Sequence, residues 1–224
     1  MRDSYIRFFS KGHISKDQFF EFGLEETIYA PNEHAEREWA LLKHRITNNE
    51  EVFIRGFGRD SNGTHLFQKL YLDLVGNNNV KKDPTNNAEP TKVIRELTGY
   101  SKTKNKKYEL IRNYQISHIF GRTKNVYAFT APWNIVYMPK MLDPFTGHEA
   151  KGDMIDEFTI LFQKQGYKQF AKFIDEFNEI ITNTDFRQKL EYCFAELSNI
   201  DTITDKEYEK LKLAATNEFM PIEI

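Results

Sequence analysis

Between residues 113 and 151 the sequence NYQISHIFGRTKNVYAFTAPWNIVYMPKMLDPFTGHEAK changes its apolar period twice, and this limits the folds open to it. Tyr114, Ile116, His118 and Phe120 fall on one face at the two-residue period of a strand. GRTKN makes a turn or loop, and VYAFTAPWNIVYMP reads as the returning strand. Thr146 followed three residues later by Glu149 is a capping-box pattern after Asp143 and Pro144. It predicts a helix that starts at Gly147 and runs through DMIDEFTILFQKQGYKQFAKFIDEFNEII, with an interruption at Gly166. A His closes the first strand, an Asn sits in the second, and His148 falls in the first helical turn.

The rest of the chain supplies the setting. A chain of 224 residues can bury one sizeable core or two small ones. No apolar run is long enough to span a bilayer, and the opening MRDSYIRFFSKGHISKDQFF lacks the apolar stretch of a signal peptide, so a cytoplasmic protein without a membrane partner is expected. Cys193 is the single cysteine, which excludes an internal disulfide and a cysteine-based zinc site. Its place in the helical pattern FRQKLEYCFAELSNI predicts a buried, small apolar side chain. Upstream, HAEREWALLKHRI puts Ala35, Trp39, Leu42 and Ile46 at helical spacing, with Asn32 as the cap. EVFIRGF reads as a strand ending in the reversal GRDSNGT, after which HLFQKLYLDLV restarts a helix. PTKVIRELTGY is a short helix that stops near Gly99. The Asn-rich GNNNVKKDPTNNAEP between them predicts a loop reaching away from the core.

Charge is uneven along the chain. Residues 81–124 hold eleven Lys and Arg against four Asp and Glu, whereas residues 150–224 hold nine against fifteen. The basic block leads into the His-Asn-His stretch, and local positive charge is what a phosphate backbone attracts. Lys102, Lys104, Lys106 and Lys107 in SKTKNKK, with Arg122 and Lys124, are candidate phosphate contacts; the other reading of SKTKNKK is a solvated loop. Lys81, Lys82, Asn86 and Asn87 combine the side chains that read guanine and adenine edges. The arrangement fits phosphodiester hydrolysis. A neutral imidazole takes a proton from water, a task suited to a reference pKa of about 6.5, while a divalent cation offsets charge on the phosphate and leaving oxygen.

At His118, Asn134 and His148 the sequence resembles the HNH, or ββα-metal, nuclease superfamily, over residues 113 to about 162. The resemblance implies that His118 is the general base, that Asn134 steadies the loop and orients that base, and that His148 binds one Mg2+ or Mn2+ per active site. Many members carry an Asp or His ligand where Ser117 stands here. The remaining ligand would thus be Ser117 itself or Asp143, with Asn125 and Glu149 as alternatives. A longer Asn134-to-His148 spacing implies an inserted turn around PKMLDPFTG, and Trp133, Tyr137 and Phe145 replace the cysteines that brace zinc-stabilised members. The whole organisation resembles a type II restriction endonuclease of the HNH group, implying a homodimer that cuts double-stranded DNA at a palindrome. The expected fold is α+β: a ββα-metal motif in a mostly helical chain with a small N-terminal α/β region. The expected division is 1–108 for recognition and dimerisation, 109–165 for the nuclease core and 166–224 for a helical end. Two other functions stay open, a nonspecific nuclease of this type and a nucleic-acid-binding module without catalysis. A third, a protein-binding role for the acidic helical end with incidental histidines, uses no nucleic acid.

Overall fold

The computed structural model describes residues 4–146 and 150–224, and it is α+β, mostly helical with small sheets. Helices α1 (Ser4–Phe9), α2 (Lys16–Glu25) and α3 (Asn32–Thr47) lead into strand β1 (Val52–Ile54). A 3-10 turn (Arg59–Ser61), α4 (Thr64–Val75), β2 (Val80–Lys82) and α5 (Ala88–Thr98) follow. Next come β3 (Tyr100–Ser101), β4 (Glu109–Leu110), β5 (Tyr114–His118) and β6 (Ile135–Pro139). A 3-10 segment (Lys140–Thr146) precedes α6 (Asp153–Thr182), α7 (Thr184–Ser198) and α8 (Asp205–Glu218). Buried apolar side chains from Phe19 to Ile222 form one continuous cluster, drawn from all three stretches of the expected division.

Periodic segments fold as their patterns require. Helix α3 buries Ala35, Trp39, Leu42 and Ile46, the stripe expected from their spacing. It starts one residue earlier than a cap at Asn32 would place it, with Pro31 in the capping position. Helix α5 stops at Gly99, whose φ of 76° is the left-handed conformation that suits glycine. Cys193 is buried on α7.

The Asn-rich segment behaves differently from the projecting loop that its polarity predicts. Val80–Lys82 pairs in parallel with Val52–Ile54, so the segment is part of a two-stranded sheet. Asn77, fully buried, donates to the carbonyls of Arg45, Ile46 and Glu50 and thereby ties the end of α3 to the start of β1. Buried Asp83 accepts from the backbone N–H groups of Thr85, Ala88 and Glu89, capping α5. These polar residues satisfy backbone groups within the fold, which a composition-based reading cannot distinguish from solvation.

Strands β5 and β6 pair antiparallel, from Tyr114 opposite Pro139 to His118 opposite Ile135. On its other edge β6 is bridged by Ile28, whose N–H and C=O exchange bonds with Tyr137. Only Ile135–Pro139 of the expected return strand is extended; residues 126–134 form buried turns. Helix α6 begins at Asp153 rather than Gly147. Gly152 has a φ of 121°, which no helical residue adopts, and the Thr146 hydroxyl donates to the Asp143 carbonyl inside the 3-10 segment. Residues 147–149 lie outside the described structure.

The interruption in α6 falls at Phe170 (φ −129°, ψ 22°), not at Gly166. Gly166 has a packing role: a Cβ there would lie 2.8 Å from Ile119 Cγ2 and 3.0 Å from Ile119 Cδ1. Its missing side chain lets α6 approach the residue that follows His118. We therefore expect Gly166→Val to destabilise the protein by about 1–3 kcal/mol through overpacking. Thermal denaturation would read this as a loss of several degrees. An unchanged melting temperature would mean that Ile119 moves aside at no cost.

Candidate functional site

The loop end of the β5–β6 hairpin is organised around one amide. Immediately past the last ladder pair, Ile119 N–H donates to the Asn134 carbonyl at 2.8 Å. The Asn134 side chain, fully buried, accepts from Phe120 N–H at 2.9 Å and donates to the carbonyls of Gly121 (2.9 Å) and Ala128 (3.0 Å). One side chain thus satisfies three backbone groups of the connection between the strands and fixes its shape where no ladder reaches.

That connection carries the partner of His118. The imidazole is 7% exposed, its Nε2 lies 2.9 Å from the Phe129 carbonyl, and its ring stacks on the Phe129 ring with centroids 5.4 Å apart and planes 10° from parallel. A carbonyl only accepts, so Nε2 carries the proton, and in the neutral ring Nδ1 is the basic atom. Ala128 and Phe129 are neighbours, so the Asn134 amide that holds the first also places the carbonyl that orients the histidine. A second anchor holds the far end of the loop. The Glu218 carboxylate at the end of α8, 7% exposed, accepts from Lys124 N–H (3.0 Å) and Lys124 Nζ (3.2 Å). Asn125 Nδ2 donates to the Glu218 carbonyl at 2.8 Å, and Tyr71 Oη donates to the Lys124 carbonyl at 2.6 Å. Burial and the nearby Glu218 charge push the Tyr71 phenol well above its ordinary pKa, so it remains a donor.

The expected metal set is brought together only in part. Ser117 pairs with Val136, and the strand's alternation turns its side chain to the face opposite His118. Asp143 sits half-buried in the 3-10 segment that leaves β6. Asn125 spends its amide inside the loop, accepting from Tyr127 N–H as well as donating to Glu218. His148 and Glu149 lie outside the described residues, and among the described residues no three His, Cys, Asp or Glu side chains gather around a common point.

The basic block separates into cations used by the fold and cations left at the surface. Lys124 is held by Glu218, and Lys107 pairs with Glu96 at 2.7 Å. Lys81 and Lys82 are exposed on β2, and Lys104 and Lys106 are exposed between β3 and β4. Lys102 shares that surface, where partial burial and the charge of Lys140 depress its ammonium pKa below the ordinary lysine value. Tyr137 Oη donates to the Tyr100 carbonyl at 3.1 Å, so the lysine-bearing loop is attached beside β6. Asn86 accepts from Gly56 N–H at 3.0 Å with its side-chain oxygen, and its φ is 66°. Asn87 occupies the capping position of α5, and its Oδ1 is buried without a hydrogen-bond partner. Arg122 lies in the connection between β5 and β6. Glu218 gives no sign of its role in the sequence, because it is 94 residues from Lys124 and looks like one more acid in an acidic helical end.

Comparison with known proteins places these residues in a lineage. The family model described as "Uncharacterised protein PM1201" matches residues 30–224, which include both strands of the hairpin and Glu218. A relative described as uncharacterized protein PM1201, from Pasteurella multocida (strain Pm70), is 44% identical over 181 residues, covering 80% of each chain. No solved structure matches the chain. Among the described residues, no helix is long and apolar enough to cross a membrane.

Proposed function

We propose that this chain, which belongs to the PM1201 family, is a divalent-metal-dependent endonuclease that hydrolyses phosphodiester bonds of double-stranded DNA, with the sequence specificity of a type II restriction enzyme. The observation that carries this reading is the hairpin end, where a histidine oriented through Nε2 by the Phe129 carbonyl is kept in place by the Asn134 amide. A buried imidazole whose ring orientation is set by the Nε2 hydrogen bond to the Phe129 carbonyl and by stacking on the Phe129 ring suits a general base that must meet its water in a single geometry. Antiparallel strands followed by a long helix provide the order of elements that the ββα-metal resemblance requires.

In this mechanism His118 Nδ1 takes a proton from the attacking water, and the Phe129 carbonyl stabilises the imidazolium that forms. Asn134 holds the loop so that this pair does not drift. Asp143 offers a hard carboxylate oxygen of the kind Mg2+ or Mn2+ prefers, and with His148 it would hold one cation per active site. When bound, that cation supplies charge neutralisation at the phosphate and the leaving oxygen. Exposed Lys81, Lys82, Lys102, Lys104 and Lys106 would meet the phosphate backbone. A non-catalytic nucleic-acid-binding module is the second reading, favoured by Ser117, which stands at an expected ligand position but faces away from His118.

Digestion of phage DNA by the purified protein with Mg2+ or Mn2+ tests the proposal. Discrete bands are expected; a smear would indicate nonspecific cleavage, and intact DNA that is still retained by the protein would favour the binding module. A site that attacks one phosphodiester at a time makes a double-strand break most simply as a symmetric homodimer. Sedimentation with an uncleaved duplex in EDTA is expected to show two protomers per duplex, and one protomer per duplex would overturn the dimer. Replacing Lys102, Lys104, Lys106 and Lys107 together with alanine should weaken binding to all sequences. The logarithmic salt dependence should flatten by about 0.9 for each phosphate that is no longer neutralised. Because Lys107 is paired with Glu96, the decrease should correspond to about three phosphates rather than four. An unchanged slope would leave this loop without a role in binding.

A further inference from the structure

The loop between β5 and β6 contains a cation that the fold does not finish satisfying. Arg122 follows Gly121, and both have left-handed backbones, with φ of 53° and 66°. For glycine this conformation is free, but for an arginine it is strained and persists only where the surroundings enforce it. Enforcement is evident on both sides. Asn134 holds the chain at Phe120 and Gly121, and Glu218 with Tyr71 holds it at Lys124 and Asn125. The side chain is half-buried, and its Nε–H is buried without a hydrogen-bond partner. Burial lowers the guanidinium pKa and the charge of Glu218 offsets part of that, but Glu218 spends both carboxylate oxygens on Lys124. A guanidinium stays charged in any protein environment, so a half-buried one whose donors the fold does not all meet gains from an anion on its exposed side.

We propose that Arg122 is a phosphate-binding residue of this site, its guanidinium receiving oxygens of a backbone phosphodiester in the DNA that His118 acts on. This rests on the nuclease reading for the identity of the anion, and on the loop geometry for the existence of the site. Arg122 lies four residues after His118 in a connection clamped at both ends, so a phosphate held there is held in fixed relation to the imidazole. A planar fork of donors suits a phosphodiester better than an ammonium does. The strained backbone then has a cause: the loop is folded to present the exposed side of this half-buried guanidinium.

The Arg122 Nε–Hε resonance of the 15N-labelled protein, assigned by its loss in Arg122→Lys, reports on the site without relying on a variant's fold. Titration with a 12-base-pair duplex in EDTA is expected to shift it. Arg122→Gln is expected to lower duplex affinity about tenfold and reduce the logarithmic salt slope by about 0.9, and Arg122→Lys to restore the slope but not the full affinity. A duplex that binds wild type and Arg122→Gln equally, without moving the resonance, would overturn the proposal and leave the chemistry at His118 intact. A resonance that moves with inorganic phosphate while wild type fails to bind duplex would overturn both the DNA source of the anion and the nuclease reading. Binding with the expected shift but no cleavage in Mg2+ would support the phosphate site and remove the nuclease.

Discussion

Alanine at position 118 is expected to lower the rate of DNA cleavage by about 10²- to 10⁴-fold, the range that a positioned general base contributes. The substitution also removes the donor to the Phe129 carbonyl and a stacked ring pair, so a structural loss of about 1–2 kcal/mol accompanies it. In a chain of this length that is a fall in melting temperature of roughly 2–8 °C. The two effects are separable. Duplex affinity measured in EDTA at 25 °C should stay within about threefold of wild type, because binding is dominated by phosphate contacts from cations elsewhere. A His118→Ala protein that is folded, binds DNA and cleaves at the wild-type rate would show that the base lies elsewhere.

Asn134→Ala is expected to produce the largest loss of stability of any single substitution at this site. It strands Phe120 N–H and the carbonyls of Gly121 and Ala128, all tied to one fully buried amide, and it leaves a cavity. At about 1 kcal/mol for each bond, and more for groups left buried and unmet, the cost is about 3–5 kcal/mol. Thermal denaturation should register a drop of roughly 6–20 °C. Asn134→Asp keeps the shape and the acceptor for Phe120 N–H, but sets a carboxylate against two carbonyl oxygens. We expect a comparable loss, which would assign the effect to hydrogen bonding rather than to volume. A fall of less than about 2 °C in both variants would mean that the loop holds its shape without the amide.

Elements that announce themselves by period are legible in the sequence. The stripe of Ala35, Trp39, Leu42 and Ile46 needs only local geometry, and so does the stop of α5 at Gly99. His118, which closes one apolar segment, and Asn134, which sits within the next, draw notice for a related reason: each is a polar side chain where burial demands an explanation. What stays hidden depends on partners far along the chain. Polarity marks residues 76–87 as a projecting loop, but Asn77 is spent on carbonyls at the end of α3 and Asp83 on the first turn of α5. The Thr146 and Glu149 spacing points to a helix start at Gly147, whereas α6 begins at Asp153, after a Gly152 whose φ of 121° is not helical, and Glu149 lies outside the described residues. Propensity alone makes Gly166 a break, whereas its place is set by the close approach of Ile119. Nothing local marks Glu218 as the anchor of a loop that begins near residue 122.

If His118, held by the Asn134-clamped loop, acts as the base in metal-dependent cleavage of DNA, the most direct measurement is the initial rate of cleavage of one plasmid. Wild type and His118→Ala are each assayed with Mg2+ and with EDTA. Cleavage is expected in a single arm of the four, wild type with Mg2+, while both proteins retain the plasmid in a binding assay. Equal rates for the two proteins in Mg2+, or no cleavage by wild type with either Mg2+ or Mn2+, would contradict that role for His118.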